Sequence, residues 1–424
     1  MKHQLLALPA LLALLSLPAE RPLAAQAAKK PDAKALDWFQ FRGPNRDGHS
    51  TETGLLAPWP SGGPPQAWKA TGIGTGYSSV CVSGTRVFTM GETGGKSYLL
   101  ALNAADGKIL WKTEAGQGGD PGNQGAGPRG TPATDGTLVF ALSQNGELLC
   151  AQAATGRPVW KKTMSQLGGG GTPGWGWSES PLLDGNALVV SPGGSGGHVA
   201  ALNKATGAPL WQSRVKGGAH YTSLAVADIG NVRQYLYFNN QVVAGIAARN
   251  GQVAWQIDRS GQTAIASTPA YRDGIVFVSS GYGVGHNGFR VAGAGGRFQV
   301  QPAYEGNEMA SHHGGYVVVE NHVYVPSDGG SLVCAELKTG KVAWQDRCVG
   351  KGSAVFADGH LYVRGEGGGV ALVEASPAGY KEKGRFNLPK TGGNGAWANP
   401  AVAGGKLYLR EWDNLYCYDI AAKK

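Results

Sequence analysis

Several structural classes are missing from this chain. Beyond its first two dozen residues, no window of about 11–18 residues keeps an apolar period of 3.6, which excludes a helical bundle and a βαβ domain. Cysteine is scarce, with five in 424 residues. None of the five forms a CxxC, a CxxCH or an adjacent pair, so structural zinc, covalent haem and a vicinal disulfide have no sequence basis. Charge is sparse too, at 16% of residues, and the net +9 is scattered without a basic run that could track a phosphate backbone. No later stretch is apolar for the ~20 residues that a membrane-spanning helix needs.

What the chain has instead is glycine, 69 residues of it, and a recurring tryptophan. The segments Ala101–Trp111, Cys150–Trp160, Ala201–Trp211, Gly245–Trp255 and Cys334–Trp344 are variants of one pattern: a small residue, a turn such as Thr-Gly or Asp-Gly, then Trp. Starting from Trp68, the spacings are 43, 49, 51 and 44 residues, then 89, which is two steps. A fixed period of this size marks a repeat architecture. Each period reads as short β-strands joined by tight turns, as in Leu138–Leu142, Asn145-Gly146 and Glu147–Gln152. Four strands per period make a propeller blade.

The small residue ten before each Trp reads as a packing slot for a large ring. Phe298 and Phe386 are expected to replace Trp in two degenerate blades. The C-terminus stops just after the slot residue Cys417, while Trp68 has no strands ahead of it. The expectation is an all-β, eight-bladed propeller of four-stranded antiparallel blades, in which an N-terminal strand at Trp68 completes the C-terminal blade. Closing the ring removes exposed sheet edges.

The AxxxxTGxxxW pattern resembles the repeat of the pyrroloquinoline-quinone-like (PQQ-like) propellers. These include quinoprotein alcohol dehydrogenases and the scaffold lipoprotein of the outer-membrane β-barrel assembly machinery. Trp38–Gly48 (WFQFRGPNRDG), Pro173–Leu182 (PGWGWSESPL), His312–Gly315 (HHGG) and Val349–Ser353 (VGKGS) are similar to pieces of secreted bacterial members. The resemblance implies the fold over nearly the whole mature chain. It implies much less about function, because one fold hosts many.

The N-terminus has a basic start, a short apolar stretch and small residues at Ala25–Ala27, the features of a secretory signal peptide. The expected organisation is a signal peptide at 1–27, an N-terminal arm at 28–60 packed on the propeller through Trp38, Phe39, Phe41 and Trp59, and a propeller at 61–424. The product is expected outside the cytoplasm, periplasmic or extracellular. No cysteine follows a lipobox. Cys150, Cys334 and Cys417 occupy equivalent slots too far apart to bridge. A Cys81–Cys348 pair stays open.

Two GxGxxG runs, at Gly125–Gly130 and Gly283–Gly288, precede strands rather than helices, so neither is a nucleotide site. The GxSxG at Gly193–Gly197 sits in a hairpin turn, not a nucleophile elbow.

Residues just ahead of each innermost strand gather at one mouth of a propeller's central funnel. Here they are Tyr77, Ser78, Arg129, Trp177, Ser178, Glu179, His220, Tyr221, Ser267, Thr268, His312, His313, Lys351, Trp397 and Asn399. They read either as a concave ligand site or as inter-blade contacts. The ligand-site reading takes Tyr77, Arg129, Trp177, Glu179, His220, Tyr221, His312, His313, Lys351, Trp397 and Asn399. Glu179 is the lone carboxylate among several cationic groups, so the expected ligand is anionic. Adjacent residues of an extended chain point to opposite faces, so His312 and His313 are not expected to share a metal, and no metal site is assigned.

The quinoprotein resemblance would ask for calcium and quinone held by a Glu, an Asn and an Asp, with a second Asp as base and a Trp beneath the quinone. Glu179 and Asn399 match in type, but no Asp falls in the set. The leading reading is therefore a secreted, non-catalytic binding or scaffold module at the cell envelope, without a resident cofactor. Its partner would be an envelope protein, peptide or polysaccharide, and not a nucleic acid. The alternative is a periplasmic quinoprotein-type oxidoreductase using PQQ with calcium.

Overall fold

In the computed structural model, Met1 and residues 38–194 and 198–422 are described. The signal peptide expected at 1–27, the start of the arm to residue 37 and the hairpin turn at Ser195 lie outside these residues. Among the described residues there are eight four-stranded antiparallel sheets and only two short 3-10 turns. Blades 1 to 7 span residues 81–117, 133–163, 182–214, 225–258, 270–306, 317–347 and 352–387. Blade 8 takes three strands from residues 401–419, and its fourth is Gln66–Ala70, paired with Asn414–Asp419. Trp68 stands opposite Cys417, so the N-terminal strand closes the ring in the expected register. No helix among the described residues is long and apolar enough to cross a membrane.

The repeat motif is explained by its cross-strand register. Ala101 faces Trp111, Cys150 faces Trp160, Ala201 faces Trp211, Gly245 faces Trp255 and Cys334 faces Trp344. A one-residue bulge follows each slot and tips the ring toward the next blade. The indole N–H of Trp68, Trp111, Trp160, Trp211 and Trp344 then donates to a carbonyl there, at Ala104, Ala153, Lys204, Ala248 and Ser376. The turn glycine of that next blade lies under the ring. At Gly107, φ is +73° and a Cβ would stand 2.6 Å from Trp68. That position therefore needs glycine both for its backbone and for the ring packed on it.

The two degenerate blades use other residues than expected. In blade 5 the position opposite the small slot Gly288 belongs to Tyr304, not Phe298. The Tyr304 hydroxyl donates to Leu337 O at 2.6 Å, doing the work of an indole N–H. Phe298 sits nearer the hairpin tip, opposite Gly293. In blade 7 the bulge places Leu372 opposite Gly384, two residues short of Phe386. There the ring comes from the arm: a Cβ on Gly384 would meet Trp59 Cβ at 2.6 Å.

Residues 38–52 run around the far end of the inner strands, and the segment then passes outward to Trp59 beside the outermost strand of blade 7. Trp38 bridges Val82 of blade 1, and Thr134 N in blade 2 donates to Phe39 O. Gln40 exchanges hydrogen bonds with Leu183 in blade 3. Arg46 donates to the carbonyls of Leu224, Pro181 and Ser180, and Arg42 to those of Gly314 and Tyr316. His49 bridges Phe356 of blade 7, and Glu52 accepts from Gly404 and Gly405 of blade 8. Both arginines are buried, and their multiple fixed donors satisfy carbonyls of the segments that lead into the inner strands.

All five cysteines are free thiols, so Cys81 and Cys348 are not paired. Burial pushes the thiols of Cys150 and Cys417 up to about 12, leaving them inert as thiolates.

Candidate functional site: the funnel cavity

A cavity of about 170 Å³ opens at the mouth opposite the arm. Its walls come from the segments leading into the innermost strands: Tyr77 for blade 1, Arg129 for blade 2, Ser178 and Ser180 for blade 3, Tyr221 and Ser223 for blade 4. Ala264 and Ala266 follow for blade 5, His312 and His313 for blade 6, Trp397 and Asn399 for blade 8. Phe41 of the arm also lines it.

The alternation of an extended chain decides which residues reach the cavity. Ser178 and Ser180 face it, so Trp177 and Glu179 face away. Trp177 is buried in the core between blades 2 and 3, and the tryptophan of this segment that lines the cavity is Trp175. Glu179 is 1% exposed, accepts Ser191 N–H at 2.7 Å and bonds the Ser191 hydroxyl with its other oxygen. Burial pushes its carboxyl up to about 7. By the same alternation Tyr221 lines the cavity while His220 turns to accept a hydrogen bond from Ile265 N. Burial lowers the His220 pKa, so the ring is neutral at pH 7.

The aromatic walls are paired. Tyr77 stacks on Trp397 at 4.4 Å between centroids, and Trp175 stacks on Tyr221 at 5.3 Å. The Arg129 guanidinium lies over the Tyr77 ring at 5.4 Å. It donates to the carbonyls of Gln124, Gly125 and Gly127 in its own loop. Among the described residues no carboxylate pairs with it.

Glu179 is not the lone carboxylate of the mouth. Glu366 meets Lys351 Nζ at 2.7 Å and accepts the Trp397 indole N–H at 2.7 Å. Asp328 accepts His312 N–H at 3.0 Å and contacts its Nδ1 at 3.2 Å. Both acids stand in turns between the second and third strands of their blades, at Gly365–Gly367 and Ser327–Gly329. Those turns share the mouth with the lead-in segments. The signal was available in the repeat register, since Tyr282 and Trp412 occupy the matching turns of blades 5 and 8. Lys351 is thus already matched by Glu366, whereas Arg129 lines the cavity with no carboxylate partner among the described residues.

His312 and His313 sit in a bend, not a strand, so their rings turn to one side, with centroids 4.3 Å apart. Together with Glu366 they place one potential ligand atom each within 4.8 Å of the others. The strand alternation used to separate them does not apply.

The donor set expected for calcium and a quinone does not assemble. Both Glu179 oxygens are bound to Ser191, Asp328 is committed to His312, and Trp397 is stacked on Tyr77 and bonded to Glu366. Asn399 alone offers a buried oxygen, Oδ1, with no hydrogen-bond partner.

Ring closure, the eight-blade repeat and the funnel define the chain as a PQQ-like β-propeller. The family described as outer membrane protein assembly factor BamB matches residues 95–293 and 294–378, and the chain belongs to it. No curated protein matches significantly. Among solved structures, the quinohemoprotein alcohol dehydrogenase of Comamonas testosteroni superposes with a TM-score of 0.67 at 11% identity, over 92% of this chain and 81% of that one. The computationally designed Ika8 protein gives 0.63 at 12%, over 84% and 100%. A europium-containing methanol dehydrogenase gives 0.54 at 14%, over 87% and 89%. At these identities the likeness is one of fold.

Proposed function

We propose that this protein is an exported, non-catalytic propeller of the cell envelope that binds a carboxylate-bearing envelope ligand, peptide or glycan, in its funnel. The observation that carries the reading is Arg129, a guanidinium fixed at the cavity wall by three carbonyls, over an aromatic ring, with no carboxylate partner among the described residues. A preorganised cation in a partly dry funnel favours a charge-assisted bond to an anion. The stacked rings on either side offer flat apolar faces to a sugar or a peptide side chain. Membership of an envelope-associated family supports the location.

The test is calorimetric titration with oligogalacturonate and with short peptides as free acids and as amides. At least one acid should bind, and its neutral counterpart should not. Arg129→Gln should weaken that binding by about 1.5–3 kcal/mol, the worth of a hydrogen bond to a charged group. Equal affinity for acid and amide, or binding indifferent to Arg129→Gln, refutes the reading. Export is checked by mass spectrometry of the chain recovered from the envelope or culture fluid, which should begin at Ala28.

A further inference from the structure

We propose that His312, His313 and Glu366 form a binding site for a divalent transition metal of the zinc class, with its open coordination position facing the funnel. This rests on different residues from the anion reading and stands or falls without it.

The first argument is spacing. His313 Nε2 lies 3.5 Å from Glu366 Oε1. Two donors at ~2.0–2.1 Å from one tetrahedral ion stand roughly 3.4 Å apart. The nitrogen itself is buried and has no partner in hydrogen-bond geometry. An imidazole nitrogen left unsatisfied in a dry wall costs free energy unless something completes it. A metal ion would complete it.

The second argument is orientation. Asp328 engages Nδ1 of His312 and also holds that residue's backbone N–H. That leaves Nε2 for a metal and supplies the carboxylate that typically stands behind a ligating histidine. Both imidazoles line the cavity, so a fourth ligand would enter from the funnel. Two histidines and one glutamate with an open position make up a known catalytic zinc set.

Lys351 is the competitor. Its ammonium meets Glu366 Oε2 at 2.7 Å, and the side chain is 37% exposed and able to swing away. A divalent ion in its place puts twice the charge beside the same carboxylate.

The experiment uses the full mature chain, dialysed against chelator and titrated calorimetrically with Zn²⁺, with Co²⁺ absorption as a second readout. One equivalent should bind saturably, and Co²⁺ should give the visible bands of a four-coordinate site. His313→Gln should abolish stoichiometric binding, and Asp328→Asn should weaken it ~10–100-fold. Lys351→Met should tighten binding several-fold, because it removes a competing cation and no ligand. Thermal melts of the metal-free proteins show whether each variant folds. Should His313→Gln fail to fold, Lys351→Met decides the matter alone. No saturable equivalent in the wild type, binding that survives His313→Gln, or an affinity unchanged or weakened by Lys351→Met overturns the proposal.

Discussion

Trp59 of the N-terminal arm packs against Gly384 of blade 7, in the place where the other blades carry a ring of their own. Its backbone N–H donates to Lys383 O at 2.8 Å. Its ring lies 5.8 Å from Tyr362, as the Trp68 ring lies 5.9 Å from Tyr408 in blade 8. Leu372 fills the slot where other blades have Ala, Cys or Gly, so a ring on residue 384 would have no room. The glycine leaves the space and the arm fills it.

Trp59→Ala should therefore destabilise the protein by about 3–5 kcal/mol, the usual cost of emptying a buried tryptophan site. Trp59→Phe should be milder than Trp68→Phe by about 0.5–1.5 kcal/mol, because the Trp68 indole donates to Ala104 O whereas the Trp59 indole N–H has no partner. Chemical denaturation of the variants gives both differences. A near-neutral Trp59→Ala would mean the arm does not complete blade 7.

In blade 5, Tyr304→Ala should cost considerably more than Phe298→Ala, although Phe298 is the residue that the repeat spacing singles out. Tyr304 supplies the hydroxyl bonded to Leu337 and the ring under which Gly340 passes, whereas Phe298 lies toward the end of an exposed hairpin. Tyr304→Phe should lose about 0.5–1.5 kcal/mol for the hydrogen bond. Thermal midpoints for the three variants decide the order.

Deleting residues 61–70 should lower the thermal midpoint of the whole ring. It removes the strand Gln66–Ala70 and its buried Trp68, and reopens the edge of Asn414–Asp419. An exposed edge strand also invites pairing with another molecule. Light scattering should show concentration-dependent association of the truncated protein. An unchanged midpoint would refute closure through this strand.

Glu179 should make stability depend on pH near neutrality. Burial raises its carboxyl to about 7 in the folded protein, above the ordinary range it would have when unfolded. The folded state thus holds the proton more tightly, and this contribution is fully present at low pH. It is lost as pH rises from about 4.5 through 7. Glu179→Gln, which mimics the protonated acid and can still bond Ser191, should gain on the wild type across that window, by on the order of 3 kcal/mol at pH 8. Denaturation curves at pH 5 and pH 8 test this. A difference between the two proteins that stays constant with pH would show that Glu179 titrates as an ordinary carboxylate.

Much of the fold was legible because its signals are local. A turn glycine, a small slot and a tryptophan lie within eleven residues of one another, and their cross-strand pairing follows from the hairpin. The same rule misplaced the anchors of blades 5 and 7. In blade 5 a longer hairpin moves the bulge away from Phe298, and in blade 7 the ring arrives from a segment more than 300 residues distant. The lead-in segments were legible as a group, and Tyr77, Arg129, Tyr221, His312, His313, Trp397 and Asn399 do line one cavity. Trp177, Glu179 and His220 belong to the same segments but to the opposite parity.

The sequence by itself determined the repeat, the blade count and the closing strand, because strand propensity, turn chemistry and a fixed period act between near neighbours. Only the tertiary structure decided the face each lead-in residue presents, the pairing of Lys351 with Glu366 and His312 with Asp328, and the capture of lead-in carbonyls by Arg42 and Arg46. Those outcomes depend on which charges and carbonyls meet when eight blades converge on one axis. That convergence joins residues from every period, and no single period encodes it.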